Sequence, residues 1–313
     1  MNTAAAYELP PGVQVLERGW LSANNIVLAV RPGQAGVATV VDTGYHTHAA
    51  QTVALVEAAL AGAPLARIAN THLHSDHCGG NAALKARWPA ARIAIAPGEA
   101  SAIAAWDEAR LSYAPTGQHC PRFAFDELLE PGTETQLGEL PWQVHAAPGH
   151  DTHSVILFEP HSRTLVSADA LWENGFGVVF PEIDGLAAFD AVAATLDVIE
   201  RLQPRTVIPG HGAVFTDVAT ALANARRRLD SFVASPGRHA MHAAKVLLKY
   251  KLLEWQSLPL AEVHAWLSAT LVFQLLHERH FAGTAPDAWH AQLIDELVRS
   301  GVALREQGRL VNQ

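Results

Sequence analysis

Three imidazoles and a carboxylate fall within six residues of this 313-residue chain, in the run His72-Leu73-His74-Ser75-Asp76-His77. Neutral imidazole and carboxylate are the side chains that bind zinc and similar divalent ions. At the end of a strand, residues two apart point the same way, so His72 and His74 can share one metal. Asp76 and His77 fall in the turn beyond and can reach a second metal beside the first. Gly79 and Gly80 then let the backbone turn sharply into a helix. Three further ligand-type residues stand downstream, in Pro148-Gly149-His150, Ser167-Ala168-Asp169 and Pro209-Gly210-His211-Gly212. Each follows an apolar run that reads as a strand. A lone His in such a place is more often structural, but three such sites after H-x-H-x-D-H reverse that expectation. Cys78 reads as a small packing residue rather than a nucleophile. His46 and His48 form a second H-x-H that opens a helix, and they read as exposed rather than liganding.

The elements that must hold these residues are legible from periodicity. Gly12–Glu17, Asn25–Val30, Gly36–Asp42, Leu65–Asn70 and Ala91–Ala96 have the composition of strands. Ala49–Leu60 and Gly80–Trp88 have helical spacing and end at Gly62-Ala63-Pro64 and Pro89. From 98 to 132 the pattern blurs among Pro115, Gly117, Pro121 and several aromatics. That stretch is either a substrate-covering loop or a helix with a surface loop packed on the core. Trp142–Ala146, Val155–Phe158, Thr164–Ser167 and Thr206–Ile208 are predicted strands, with an amphipathic helix over Leu186–Leu202. Beyond Val218 the chain turns helical, over Val218–Val233, His239–Gln256, Leu260–Ser268, Leu271–His280 and Ala288–Ser300. Val302–Leu304 and Arg309–Val311 are spaced to form a hairpin, which gives this end a winged-helix-like character.

Composition narrows the function classes. The chain is 49% hydrophobic and 17% charged, ordinary for a globular protein with a sizeable core. Residues 1–217 hold 11 Lys and Arg against 23 Asp and Glu, a net −12; residues 218–313 hold 11 against 8, a net +3. An acidic catalytic part disfavours a nucleic-acid groove, because phosphate contacts supply most of that affinity. Arg226-Arg227-Arg228 reads as a solvated helix face. Two cysteines make no disulfide framework. No apolar run approaches a membrane span, and residues 1–11 do not have the pattern of a signal peptide. The expectation is a soluble cytoplasmic protein with a small-molecule partner and no membrane contact; a homodimer is left open.

Residues 12–217 resemble the metallo-β-lactamase-fold superfamily, with its motifs in order. Asp42 in Val40-Val41-Asp42-Thr43-Gly44 matches the first; His72/His74/Asp76/His77, His150, Asp169 and His211 match the rest. The resemblance implies an α/β fold, an αββα metallo-β-lactamase sandwich with the metal site along one edge of its two sheets. Residues 1–217 would form this catalytic domain, and 218–313 a small helical, winged-helix-like C-terminal domain. It implies one metal on His72, His74 and His150 and a second on Asp76, His77 and His211. Asp169 would bridge the two, and Asp42 would stand behind the ligands. The cofactor implied is two Zn2+ per chain, with Fe or Mn as alternatives, and Asp76 and Asp169 are the catalytic carboxylates. Two cations about 3.5–4 Å apart lower the pKa of a bridging water toward about 7. The resulting hydroxide attacks an electrophilic carbon while a metal stabilises the developing oxyanion. No Ser or Cys nucleophile is needed.

Departures from well-known branches narrow the expectation further. Class B β-lactamases are secreted and usually lack the bridging Asp or replace a ligand with Cys. The ligand set and helical end look like glyoxalase II, which hydrolyses a glutathione thioester. That family's glutathione-binding pattern of Tyr, Asn and basic residues is not found here; Lys245, Lys249 and Lys251 are the basic residues that could meet an acidic substrate. Lactonases of the superfamily carry a catalytic Tyr three residues after the bridging Asp, where this chain has Trp172. The expected activity is a metal-dependent, dizinc hydrolysis of a carboxylic ester, thioester or lactone with a hydrophobic acyl part. Trp172, Phe176 and Phe180 are the expected pocket walls. The alternatives are an oxidoreductase resembling persulfide dioxygenases, with a single iron on two His and one Asp, and behind it a metal-dependent ribonuclease.

Overall fold

Successive side chains of a strand point to opposite faces, and here that alternation sorts residues into layers. A computed structural model describes residues 7–313. Its first sheet runs in chain order through β1 (Val13–Leu16), β2 (Asn25–Leu28), β3 (Thr39–Val41), β4 (Arg67–Ala69), β5 (Arg92–Ile95) and β6 (Glu127–Leu128). The pairs from β1 to β3 are antiparallel and those from β3 to β6 parallel. The second sheet comprises β7 (Glu134–Leu137), β8 (Leu140–Ala146), β9 (Val155–Glu159), β10 (Thr164–Ala168) and β11 (Thr206–Pro209), in the spatial order β11-β10-β9-β8-β7. Only β10 and β11 are parallel neighbours there.

One face of each sheet meets the other sheet. Ile26, Leu28, Val41, Ala69 and Ala94 of the first sheet share a core with Val155, Leu157, Val166 and Ile208 of the second. Their chain neighbours face outward onto helices. Val27, Val40, Ile68 and Ile93 pack with Val56 and Leu84, which lie on helices Ala49–Ala59 and Asn81–Arg87. Ile156, Phe158, Leu165 and Val207 pack with Val192, Leu196 and Ile199 of helix Phe189–Leu202. The result is the expected αββα stack, with both sheets buried on both faces, and the near-continuous apolar strands follow from that burial.

The stack brings five strand ends to one edge. β3 and β4 are parallel, and β8, β10 and β11 point the same way through their common neighbour β9. The segments that leave their C-terminal ends carry Asp42, His72 to His77, His150, Asp169 and His211. Asn24 ties the sheets together at this edge: its N–H donates to the carbonyl of Gly210, and its side-chain amide to those of Pro209 and Gly212.

Beyond the sandwich, helix Val218–Ala234 packs on Phe189–Leu202 and shares its core, and helix Pro236–Trp255 follows. Three shorter elements come next, Leu260–Ala269, Leu271–Leu276 and Pro286–Arg299, and the second of these widens into a π-type turn over His277–Phe281 where one continuous helix was expected. The expected hairpin is present as β13 (Ala303–Glu306) and β14 (Arg309–Asn312), with β12 (Ser257–Pro259) added on the other side of β14. Among the described residues, no helix is long and apolar enough to cross a membrane.

Candidate metal centre

Two sets of ligand-type atoms converge at the sheet edge. In the first, His72 Nε2 lies 3.1 Å from His74 Nδ1, which lies 2.8 Å from His150 Nε2. In the second, His211 Nε2 lies 3.1 Å and His77 Nε2 3.9 Å from Asp76 Oδ2. Asp169 stands between the sets, with Oδ2 3.4 Å from His150 Nε2 and Oδ1 3.4 Å from His77 Nε2. All these residues but Asp76 are buried, and its side chain is 14% exposed. The structure thus brings together all seven residues singled out from the sequence.

Neighbouring groups orient the rings. Asp42 Oδ2 accepts from His77 Nδ1 at 2.7 Å and from the Thr71 hydroxyl at 2.8 Å, while Oδ1 accepts from the Thr71 N–H at 2.9 Å. That bond fixes the proton on His77 Nδ1 and leaves Nε2 facing the site. His150 is set likewise, its Nδ1 donating to the Val178 carbonyl at 2.5 Å. Trp172 donates its indole N–H to Asp169 Oδ1 at 3.2 Å. Two glycines supply clearance: a Cβ on Gly210 would stand 2.2 Å from Asp169 Oδ1, and one on Gly177 would stand 2.4 Å from His150 Nδ1.

Electrostatics separate the two sets. Burial, reinforced by the neighbouring rings, holds His72 well below the usual imidazole range, and burial brings His74 and His150 down to about 4. These three are neutral at pH 7, with lone pairs free to bind a cation. Burial also disfavours a charged His77, but Asp169, Asp42 and Asp76 more than reverse this and raise it well above the ordinary value. Burial pushes the Asp169 carboxyl up, yet His77, His211 and His150 hold it well below the usual carboxylate range. The second set is therefore a place where positive charge is stabilised.

The donors fit divalent metal ions. Three imidazole nitrogens within 2.8–3.1 Å of their neighbours cannot all be satisfied by protons among themselves. Among the described residues, the buried ring nitrogens His77 Nε2 and His211 Nδ1 have no hydrogen-bond partner. Atoms of His72/His74/His150, of His72/His77/Asp169 and of Asp76/His77/His211 each cluster within 4.8 Å. Such N and O sets suit zinc, iron or manganese.

A cavity of about 80 Å3 opens onto this cluster, lined among others by Trp20, Ser112, Gln118, Trp172, Phe180 and Tyr250. Trp172 and Phe180 therefore stand where the sequence suggested. Phe176 does not: it is 1% exposed, packed against Phe232 in the core between the second sheet and its helices. His46 and His48 are half-buried rather than exposed and belong to none of the clusters; His48 Nδ1 bonds the Ser22 hydroxyl at 2.9 Å. Cys78 is buried beside Cys120 and the Tyr113 hydroxyl, a packing position as expected. The blurred stretch divides between the two expectations. Ile103, Leu111, Tyr113 and Phe123 pack into the core, while Ser112 and Gln118 line the cavity. Trp20 gave no signal in the sequence; its ring stacks on His211 at 5.4 Å between centroids with an interplanar angle of 8°.

The family model of the metallo-beta-lactamase superfamily matches residues 18–211. The chain belongs to that superfamily. A hydroxyacylglutathione hydrolase of Brucella anthropi is 27% identical over 179 residues, which is 56% of this chain. That match spans 57% of the relative's own length. Among solved structures, a beta-lactamase domain protein from Burkholderia ambifaria aligns over 98% of this chain and 94% of its own, with a TM-score of 0.58 and 22% identity. ETHE1 from Myxococcus xanthus aligns over 71% of this chain and 90% of its own, with a TM-score of 0.51 and 18% identity. At these identities the two structures show a shared fold. The superfamily match and the clustered His and Asp side chains together give this chain a candidate metal site of that superfamily.

Proposed function

We propose that the protein is a dizinc hydrolase of a carboxylic ester, thioester or lactone, with residues 1–217 as its catalytic domain and 218–313 as a helical domain beside the pocket. In this reading His72, His74 and His150 hold one metal and Asp76, His77 and His211 the other, with Asp169 shared between them. The observation that carries it is the position of Asp169, whose two oxygens face the two sets separately. When bound, the metal pair supplies an activated water as nucleophile and a Lewis acid for the carbonyl.

The chain's own residues then do the positioning. Asp42 and the Val178 carbonyl fix the tautomers of His77 and His150, so the ligand nitrogens need no reorganisation. Trp172 holds Asp169 through its indole N–H, using the position that is Tyr in the lactonases. An indole N–H stays donated to that carboxylate and gives no acidic proton to a leaving group. Phe180, 4.5 Å from the His74 ring and 5.6 Å from that of His150, covers the first set and helps to exclude water.

The hydroxyacylglutathione hydrolase relative supports thioester chemistry. The dioxygenase reading needs a single iron on two His and one Asp, and those enzymes carry the equivalents of Asp76, His77 and His211 as well, so metal content rather than the ligand set separates the two readings. Metal quantification combined with a panel of thioesters, lactones, phosphodiesters and β-lactams tests it. About two zinc ions per chain with turnover of an acyl substrate is expected; oxygen consumption on a persulfide would overturn it.

A further inference from the structure

The metal pocket continues into a second space. Trp20, Trp172, Val246 and Tyr250 line both the metal pocket and an adjoining groove of about 350 Å3, within the size range of small-molecule sites. Leu253 and Val302 extend the apolar wall away from the metals. Trp20 is 55% exposed and Val246 37%. Single exposed apolar side chains need no explanation, but a contiguous set that begins at a reaction site marks a binding surface.

Two lysines decide what kind of group the groove takes. Lys245 Nζ pairs with Glu296 at 3.1 Å. Lys249 Nζ donates to the Val302 and Gln313 carbonyls and to Asn312 Oδ1, at 2.5–2.9 Å. Both ammonium groups are engaged by the protein, so the groove receives their methylene stems rather than free charge. Lys251, the third basic residue expected to meet an acidic substrate, is likewise engaged by Glu254 and the Gly117 carbonyl. The groove thus has no receptor for an anionic end. A separate cavity of about 250 Å3 beyond His74 is mixed in character, with Glu99, Arg110, Asp151 and Asp184 set among apolar residues such as Leu186 and Leu275. Of the two spaces beside the metals, the first has the more continuous apolar wall.

We propose that this groove is an acyl-chain subsite, and that the substrate is an ester or thioester with an uncharged acyl chain of medium length. The inference rests on the reading of the metal centre as an acyl hydrolase. In the reaction a water oxygen bonds to the acyl carbon and the carbon–sulfur or carbon–oxygen ester bond breaks. One water proton goes to the departing thiolate or alkoxide, and the other is released from the product acid.

The metal-loaded protein, assayed with acetyl, butanoyl, hexanoyl and octanoyl thioesters of N-acetylcysteamine, tests the proposal. Each buried methylene should raise kcat/KM about 3- to 4-fold until the groove is full. Leu253→Trp and Val302→Trp, which fill the groove away from the metals, should each lower the octanoyl-to-acetyl ratio at least about tenfold, as the series would imply for several displaced methylenes. Using the ratio cancels any uniform loss of activity. A flat series, or a ratio unchanged in both variants, overturns the subsite. A second readout needs no turnover: terminally brominated octanoate should quench the indole fluorescence of Trp20 and Trp172, and bromoacetate should not. Equal quenching by both, or by neither, also overturns the subsite. Failure to turn over any thioester, acetyl included, contradicts the thioester branch of the hydrolase reading, and the quenching result then decides the groove by itself. A dimer in light scattering that Val246→Asp dissociates would assign the groove to a second copy and overturn the proposal.

Discussion

Gly210→Ala is a small change aimed at the centre of the site. Gly210 follows β11, and a Cβ there would lie 2.2 Å from Asp169 Oδ1, 3.0 Å from His77 Cε1 and 3.1 Å from the Ala168 carbonyl carbon. Ordinary van der Waals contact begins at 3.4 Å, so the carboxylate oxygen must retreat by 3.4 − 2.2 = 1.2 Å. Neither neighbour yields easily. Asp169 is buried and held by Trp172, and His77 is held by Asp42. Overpacking of this kind costs about 1–3 kcal/mol of stability. A displacement of about 1 Å at reacting groups costs about 100-fold in rate. The expected outcome is a folded protein with kcat/KM down about 100-fold and fewer than two metals per chain by elemental analysis. Gly212→Ala is the control: its Cβ meets nothing within 4 Å, but its φ is +85°. That variant should lose about 1 kcal/mol through backbone strain and keep its metals. Full metal content and wild-type turnover in Gly210→Ala would refute the placement of Asp169 between the two metals.

Other substitutions probe the supporting residues. Asp42→Ala strands the N–H groups of His77 and Thr71 in a buried place and should cost about 3 kcal/mol in urea unfolding, with weakened metal binding. Trp172→Phe keeps the ring but removes the donor to Asp169; kcat/KM should fall about tenfold with metal content retained, and unchanged kinetics would dismiss that hydrogen bond. Burial, reinforced by Asp151, raises the Glu99 carboxyl from 4.5 to about 7. The folded state therefore binds this proton more tightly than the unfolded chain. The associated stability is fully present below about pH 4.5 and is lost as pH rises through about 7, by about 3 kcal/mol in total. Glu99→Gln should remove that fall, so that the stability of the variant relative to the natural chain grows between pH 5 and 8 in chemical denaturation.

The sheet edge was legible in the sequence because its physics is local. Each strand is a short apolar run, and each ligand stands within a few residues of a strand's C-terminal end. The layering was implicit in the same runs: Val27 and Ile26 differ by one position and face different cores. Features built from distant segments were not legible. Nothing near Trp20 in the chain indicates that it stacks on His211, 191 positions away by subtraction of their numbers. Tyr250 reaches the pocket from a helix whose periodicity reports only that it is amphipathic. Phe176 and Phe180 looked equivalent as aromatic neighbours of Asp169. The backbone between them turns, so one enters the core and the other faces the metals. β12 has no signal of its own in the sequence, because it is three residues ending in Pro between two helical runs.

The central claim is that two metals share Asp169. Its most direct test is elemental analysis of the purified protein, repeated on His211→Ala. Two zinc equivalents per chain, falling to about one in the variant with His72, His74 and His150 still loaded, is the expected result. A single iron per chain in the natural protein, unchanged by His211→Ala, would contradict it.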